Sequence, residues 1–178
     1  KNAAIIGNED LFNKAYSKNP SKINELDKDG KSIFQIATEN GHANIAKNVL
    51  YQQNLDFKIK SRDGKTFLHH AVESKDEVLI RNVVNAADSK KVDLNIPDKD
   101  GRTPLSYAME KGLQDETVSI STPLKDAYKL NKITYESEDP KTAESKEALD
   151  KSAKKFNPAD NKGKTPLDYA IASGNKDG

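Results

Sequence analysis

The sequence of 178 residues predicts an all-α solenoid in which short helix-turn-helix units stack side by side. The main observation is a junction, Asp-Gly-Arg-Thr-Pro-Leu-Ser-Tyr-Ala at residues 100–108, that returns in related form at residues 29–37, 63–71 and 162–170. Its glycines lie 34, 37 and 62 residues apart, so that one period is kept and the last gap is close to two periods. The hydrophobic content of 34% is low, which suits thin units with much exposed surface.

Each junction carries the residues that begin a helix. In the third copy, Gly101 can take the positive φ of a turn, Thr103 can cap free helix N–H groups, and Pro104 suits the first helical position. A glycine such as Gly41 then ends this helix. Apolar residues at helical spacing predict a second helix in each unit: Ile45, Val49 and Leu50 in one, and Leu79, Ile80, Val83 and Val84 in the next.

These motifs resemble the ankyrin repeat. The segment from Asp98 to Ala108, the pair Gly41-His42 and the segment Asp93-Leu94-Asn95 match the family's Thr-Pro-Leu-His junction, Gly-His turn and Asp-Val-Asn loop. The resemblance implies an ankyrin-repeat solenoid with hairpin-like loops and about four to five repeats, including an irregular one and partial end repeats. We expect one domain over 1–178, with a partial repeat at 1–28, repeats from 29, 63 and 100, and a terminal partial repeat at 160–178.

The period fails between residues 112 and 155, and two interpretations stay open. The first, which we favour, is a damaged repeat with an inner helix at about 122–131 and an outer helix at about 142–155. The buried stripe of that outer helix would be Leu149, Ala153 and Phe156. The second makes 122–131 the outer helix of the preceding unit and everything after it an insertion. Apart from this choice, residues 136–147 are expected to form a polar surface loop.

Composition and motifs point away from catalysis and from nucleic acid. Since 29 basic and 28 acidic residues leave a net charge of +1, no overall field favours nucleic acid or a membrane. There is no cysteine, no apolar run of about 18 residues and no phosphate loop, nucleophile elbow or zinc helix. We therefore expect no enzyme, cofactor, metal site or small-molecule substrate. The start without Met suggests an excised or processed fragment.

Two polar features have structural explanations. His69 stands at the consensus histidine of the resembled family, and His42 stands in its Gly-His turn, so both are expected to brace neighbouring loops. Asp27 and Asp98 mimic the start of a calcium loop, but no glutamate stands at the twelfth position of either. Asp and Gly as turn formers explain both segments.

The candidate binding residues follow the junctions. A basic residue comes directly after each junction glycine, and others lie just upstream. The candidate binding residues are Lys31, Lys65, Arg102 and Lys164, with Lys60, Arg62 and Lys99. Stacked units would align them as a basic column beside His70, Tyr107 and Tyr169 on the inner helices, and such a groove could take an acidic segment of a partner. The alternative is that these cations only solubilise exposed tips beside neighbouring aspartates.

The resemblance implies a non-catalytic protein-interaction module that binds a partner protein through hairpin tips and the concave inner-helix face. A second hypothesis makes the chain the targeting or regulatory domain of a larger enzyme. A third, direct nucleic-acid binding, is disfavoured by the charge balance. The expected location is the cytoplasm, or a host cell if the protein is a bacterial effector.

Overall fold

A computed structural model describes residues 1–113 and 158–173. All regular elements in these two ranges are helical. They are α1 (Asn2–Ile6), α2 (Glu9–Lys18), a 3₁₀ helix (Pro20–Asn24), α3 (Ile33–Glu39), α4 (Ala43–Leu50), α5 (Phe67–Ser74), α6 (Glu77–Ser89), α7 (Pro104–Glu110) and α8 (Pro166–Ala172). In this part of the chain, no helix is both long and apolar enough to cross a membrane.

The helices form two layers. In the inner layer α1, α3, α5, α7 and α8 each contact the next, and in the outer layer α2, α4 and α6 do the same. Each outer helix also packs on the inner helix that precedes it in the chain. The turn between the two helices of a pair contains a residue with positive φ, which is Gly7, Gly41 or Lys75. The predicted solenoid of helix-turn-helix units is confirmed.

The helix starts follow the capping chemistry that the junctions predict. Thr103 accepts a hydrogen bond from the backbone N–H of Ser106, and Pro104 occupies the first turn of α7. Thr165 caps α8 through the N–H of Asp168 in the same way. In α5 the N-cap is Thr66, whose backbone N–H donates to the ring of His69 and forms a reciprocal capping box. Local sequence therefore determines where α5, α7 and α8 begin.

The core lies between the layers and runs through the stack. All seven apolar residues predicted for the outer helices are buried, from Ile45 to Val84. Between units, the rings of Phe34 and Phe67 lie 4.9 Å apart, and those of Phe57 and Phe67 lie 5.5 Å apart. Burying each such ring contributes about 2–3 kcal/mol, so neighbouring units stabilise each other.

The terminal unit follows the unit of α7 directly in the stack. Helix α8 packs against α7, and the N–H of Asn161 donates to the carbonyl of Asp100 over 2.8 Å. The helices predicted at 122–131 and 142–155, with Leu149, Ala153 and Phe156, lie outside the described residues.

Candidate functional site

Four loops of the same geometry line one edge of the stack. In each, the backbone N–H of the first residue donates to the carbonyl of the fifth over 2.8–3.0 Å: Asp27 to Lys31, Ser61 to Lys65, Asp98 to Arg102 and Asp160 to Lys164. The fourth residue is a glycine with φ between 74° and 83°. The tips are therefore equivalent positions repeated along the stack.

Consecutive loops are joined by backbone hydrogen bonds. The N–H of Arg62 donates to Gly30, and the N–H of Lys99 donates to Asp63, each over 3.0 Å. The approach is close: a Cβ atom on Gly64 would lie 2.8 Å from the backbone nitrogen of Lys99. These contacts make the tips a row with fixed spacing.

The loop aspartates serve their own turns. Oδ1 of Asp27 accepts from the N–H groups of Asp29 and Lys31 over 2.9 and 2.8 Å, and Oδ1 of Asp98 accepts from those of Asp100 and Arg102 over 2.9 Å each. The backbone hydrogen bond from Lys31 lowers the pKa of Asp27. Both aspartates form turns, as the sequence indicates.

The inner-helix residues of the candidate site contact the same loops. Nine residues after the start of each loop, Tyr107 donates to Oδ2 of Asp98 over 2.7 Å, and Tyr169 donates to Oδ2 of Asp160 over 2.6 Å. Burial, reinforced by the hydrogen bond to Asp98, raises the pKa of the Tyr107 phenol. The hydrogen bond to Asp160 also raises the pKa of Tyr169.

The expectation that Tyr107 and His70 present their rings to a partner needs correction. Tyr107 is 8% exposed and His70 is 4% exposed. The reason is that each ring lies against its own loop; Nε2 of His70 is 3.1 Å from Oγ of Ser61. Tyr169 is half-buried and keeps part of its surface open.

The bases that follow the junction glycines are paired within their repeats. Nζ of Lys31 lies 2.5 Å from Glu39, Nζ of Lys65 lies 2.5 Å from Glu73, and Arg102 contacts Glu110. The acid always stands eight residues later. This fixed spacing in the sequence is the signal that identifies the pairs. In the terminal repeat, Lys164 has Ala172 at that place and stands 5.7 Å from the centre of the Tyr169 ring.

Cations and rings alternate along this inner column. The guanidinium of Arg102 lies between two phenol rings, 4.0 Å from the centre of Tyr107 and 4.1 Å from that of Tyr169. Burial tends to raise the pKa of Glu73, but His70 and Lys65 hold it at about 2, so the acid stays charged beside them. The column predicted as basic is therefore largely neutralised over its first three repeats.

The two remaining histidines brace neighbouring units, which confirms their expected structural role. Nε2 of His69 is 2.9 Å from the carbonyl of Arg102 in the next loop, and Nδ1 accepts the N–H of Thr66 over 3.1 Å. This pattern requires the neutral ring, and burial lowers the pKa of His69 to about 4. Nε2 of His42 lies 3.0 Å from the carbonyl of Ile5 in the preceding unit.

One cluster has the residue types of a hydrolase but lacks the arrangement. The side chains of Ser61, His70 and Glu73 lie side by side, and Nδ1 of His70 is 3.6 Å from Oε2 of Glu73. However, the Ser61 hydroxyl donates to Asp63 over 2.5 Å, and the residue is only 8% exposed. The cluster thus acts as a hydrogen-bonded turn. Among the residues described, no group of three or more His, Cys, Asp or Glu could hold a metal ion.

The other three candidate bases line a separate surface, which we name the loop-edge groove. It has a volume of about 580 Å³, and its lining is Leu26, Gly30, Lys60, Ser61, Arg62, Gly64, Pro97, Asp98 and Lys99. Within the two described ranges, Lys60, Arg62 and Lys99 form no ion pair with an acidic side chain. Arg62 is held in place by a 2.7 Å hydrogen bond from Nη2 to the carbonyl of Lys28. The candidate residues therefore divide into two surfaces.

Two layers of paired helices with a row of equivalent loops define an α-helical repeat protein. Residues 1–89, half of the chain, match the family model described as "Ankyrin repeats (3 copies)". The chain belongs to the ankyrin-repeat family. It is accordingly a protein-interaction module, as the sequence analysis expects.

Similar proteins come from distant sources. An "IkB-like protein" of African swine fever virus (strain Badajoz 1971 Vero-adapted) is 24% identical over 119 residues, which are 64% of this chain and 50% of the relative. "Alpha-latrotoxin-Lt1a" of Latrodectus tredecimguttatus is 32% identical over 112 residues, or 62% of this chain and 8% of the toxin. The chain thus spans about half the length of the viral relative and a small part of the toxin.

Proposed function

We propose that the chain binds a partner protein through the row of loop tips and the adjoining inner-helix face. The observation that carries this proposal is the set of hydrogen bonds between consecutive loops, in which Arg62, Lys99 and Asn161 each donate to the loop before. Because these bonds hold the tips in place before binding, little conformational entropy is lost when a partner docks.

The inner face supports the same proposal. Tyr169 and Arg102 present a partly exposed ring and a stacked guanidinium, two groups that contribute strongly at protein interfaces. The acid Glu110 keeps Arg102 in one position, so its planar surface is preorganised. Tyr107 supports this arrangement from beneath and offers little area of its own.

The narrower roles stay predictions. A targeting or regulatory domain of a larger enzyme would use the same tips, with the catalytic part as its partner. The expectations of a cytoplasmic location and of delivery into a host cell rest on the sequence alone, and the geometry of the described residues favours neither.

The experiment exploits the absence of cysteine from the sequence. Peptides are first selected against the intact chain from an unbiased 12-residue display library. Asp29→Cys then places one thiol on an exposed tip, and Lys47→Cys places one on the outer helix α4. After labelling with maleimide-polyethylene glycol, we expect at least about a tenfold loss of affinity for the tip label and little change for the α4 label. Selected peptides that are blocked only at α4 would contradict the proposal.

A further inference from the structure

We propose that the loop-edge groove binds an extended acidic segment of the partner, with carboxylates opposite Lys60, Arg62 and Lys99. The inference rests on the proposed function and names the chemistry of the partner at one part of the tips. It differs from a single basic column, because only some of the cations on this edge are open to a partner's acid.

Neither Asp63 nor Asp98 offers a free carboxylate to the cations of the groove. Asp63 turns toward the inner face, where Oδ1 accepts from Ser61 and Oδ2 lies 3.4 Å from Nζ of Lys65. Asp98 lines the groove but is buried, and both of its oxygens accept hydrogen bonds from its own repeat. Asp63 and Asp98 are therefore engaged within their own repeats, while Lys60, Arg62 and Lys99 line the groove.

The cations of the inner column differ from those of the groove because acids of this chain already contact them. There, a partner's carboxylate would have to displace Glu39, Glu73 or Glu110 from a base that each already contacts. In the groove no such exchange is needed. Complementary charge in this position raises the rate of association and the specificity for an acidic partner.

The shape of the loop-edge groove suits an extended segment. The groove crosses three consecutive loops, with Leu26 on the first and Pro97 on the third as exposed apolar groups on either side of Lys60. Packed elements about 10 Å apart give a path of roughly 20 Å over three loops. An extended chain that rises about 3.3 Å per residue covers this path with about six residues. The fitting segment is acidic at its centre and apolar at its ends.

A peptide fits this charge pattern better than a nucleic acid does. The tips alternate in sign, as in Lys28-Asp29, Arg62-Asp63 and Lys99-Asp100. A nucleic-acid strand carries a phosphate about every 3.4 Å and would bring negative charge to the aspartates as well. A peptide can place carboxylates at the cations alone.

The test repeats the peptide selection on three proteins. These are the unchanged chain, the groove variant Lys60→Glu with Lys99→Glu, and a control, Lys14→Glu with Lys47→Glu, which changes the net charge equally at exposed outer-helix sites. Arg62 is left in place because it bonds to the Lys28 carbonyl. Circular dichroism melts check that the variants are folded.

We expect peptides with clustered Asp and Glu from the unchanged chain and the control, but not from the groove variant. By fluorescence anisotropy, the best peptide should lose at least about tenfold in affinity for the groove variant and about twofold or less for the control. A version of this peptide with each Glu replaced by Gln should bind the unchanged chain as weakly as the original peptide binds the groove variant. Added salt should lower the affinity of the original peptide for the unchanged chain.

Several results would overturn the inference. Selected peptides that the tip label blocks but that lack acidic residues would refute it and leave the proposed function standing. Peptides that the tip label does not block would refute both. Equal losses in the groove variant and the control would show unspecific attraction. Tighter binding of an eight-nucleotide single-stranded DNA than of the best peptide would assign the groove to nucleic acid instead.

Discussion

The second and third loops of the stack have the same backbone but different side-chain chemistry. Both close by a hydrogen bond from the first N–H to the fifth carbonyl, of 3.0 Å at Ser61 and 2.9 Å at Asp98. In the third loop, Asp98 accepts hydrogen bonds from the N–H groups of Asp100 and Arg102 and from the hydroxyl of Tyr107. In the second loop a serine stands there, the carboxylate comes from Asp63 instead, and His70 replaces the tyrosine.

The two loops show which features determine the backbone conformation and which side chains can vary. The glycine and the bonds to the next loop are the same in both, so they set the backbone. The side chains only have to balance donors and acceptors, which an Asp–Tyr pair and a Ser–His pair with an extra Asp both achieve. Three predictions test this separation.

The largest effect is expected at the glycines that both loops share. An added Cβ would lie 2.8 Å from the backbone nitrogen of Lys99 at Gly64, and 2.8 Å from Oδ1 of Asn161 at Gly101. Gly64→Ala and Gly101→Ala should each lower the free energy of unfolding by about 3 kcal/mol, through positive φ and crowding of the next loop. Urea denaturation monitored by circular dichroism gives both values.

Gly41→Ala is the matched control, because Gly41 has a φ of 74° but nothing within 4 Å of an added Cβ. It should lose only about 1 kcal/mol, the cost of the left-handed conformation alone. Equal losses at Gly41 and Gly64 would mean that contact between loops is unimportant, and the comparison would fail.

The second-largest effect is the contribution of His69, in the second repeat, to stability, and it depends on pH. Burial lowers the pKa of His69 to about 4, below its ordinary 6.5, so the unfolded chain takes up a proton first as the pH falls. The stability that the neutral ring contributes is therefore complete above pH 6.5 and is lost down to about pH 4. Between pH 7 and pH 5 the free energy of unfolding should fall by about 2 kcal/mol.

His69→Gln supplies the reference for this measurement, since the first repeat carries Gln35 at the equivalent position. Urea denaturation at pH 7, 6 and 5 should show a fall that is about 2 kcal/mol smaller in this variant than in the unchanged chain. The lowered carboxylate pKa values, such as that of Glu73 at about 2, act below this window. A variant with an unaltered pH profile would remove His69 as the cause.

The fold was largely predictable because its signals are local. Thr103 and Pro104 begin a helix through their own chemistry, and the apolar stripe of α6 has helical spacing that needs no partner to be recognised. The place of α8 was harder to predict. Its contact with α7 joins residues about 60 positions apart, and no local pattern states which unit it follows.

The residue types of the candidate site could be predicted from the sequence, but the direction in which each side chain points could not. Lys60 and Lys65 both lie near a tip, yet one faces the groove and the other pairs with Glu73. Lys65 has Glu73 eight residues later, whereas Lys60 has Leu68 at that place. Long side chains have many rotamers, so residue type alone does not decide such partners. Burial of Tyr107 likewise depends on α8 and on Arg102 stacked above it.

The smallest effect tests the side-chain pair of the third loop. Tyr107→Phe keeps the ring but removes the hydroxyl that donates to Asp98, whose side chain is buried and would lose one hydrogen bond. The free energy of unfolding should fall by about 1.5 kcal/mol. Tyr169→Phe removes the same contact to Asp160 in the half-buried terminal repeat, where water can replace the lost donor, so its loss should be about 0.5 kcal/mol. Urea denaturation of both variants checks the difference. A Tyr107→Phe protein as stable as the unchanged chain would show that even the pairing of donors and acceptors is dispensable once the glycines and the bonds between loops are in place.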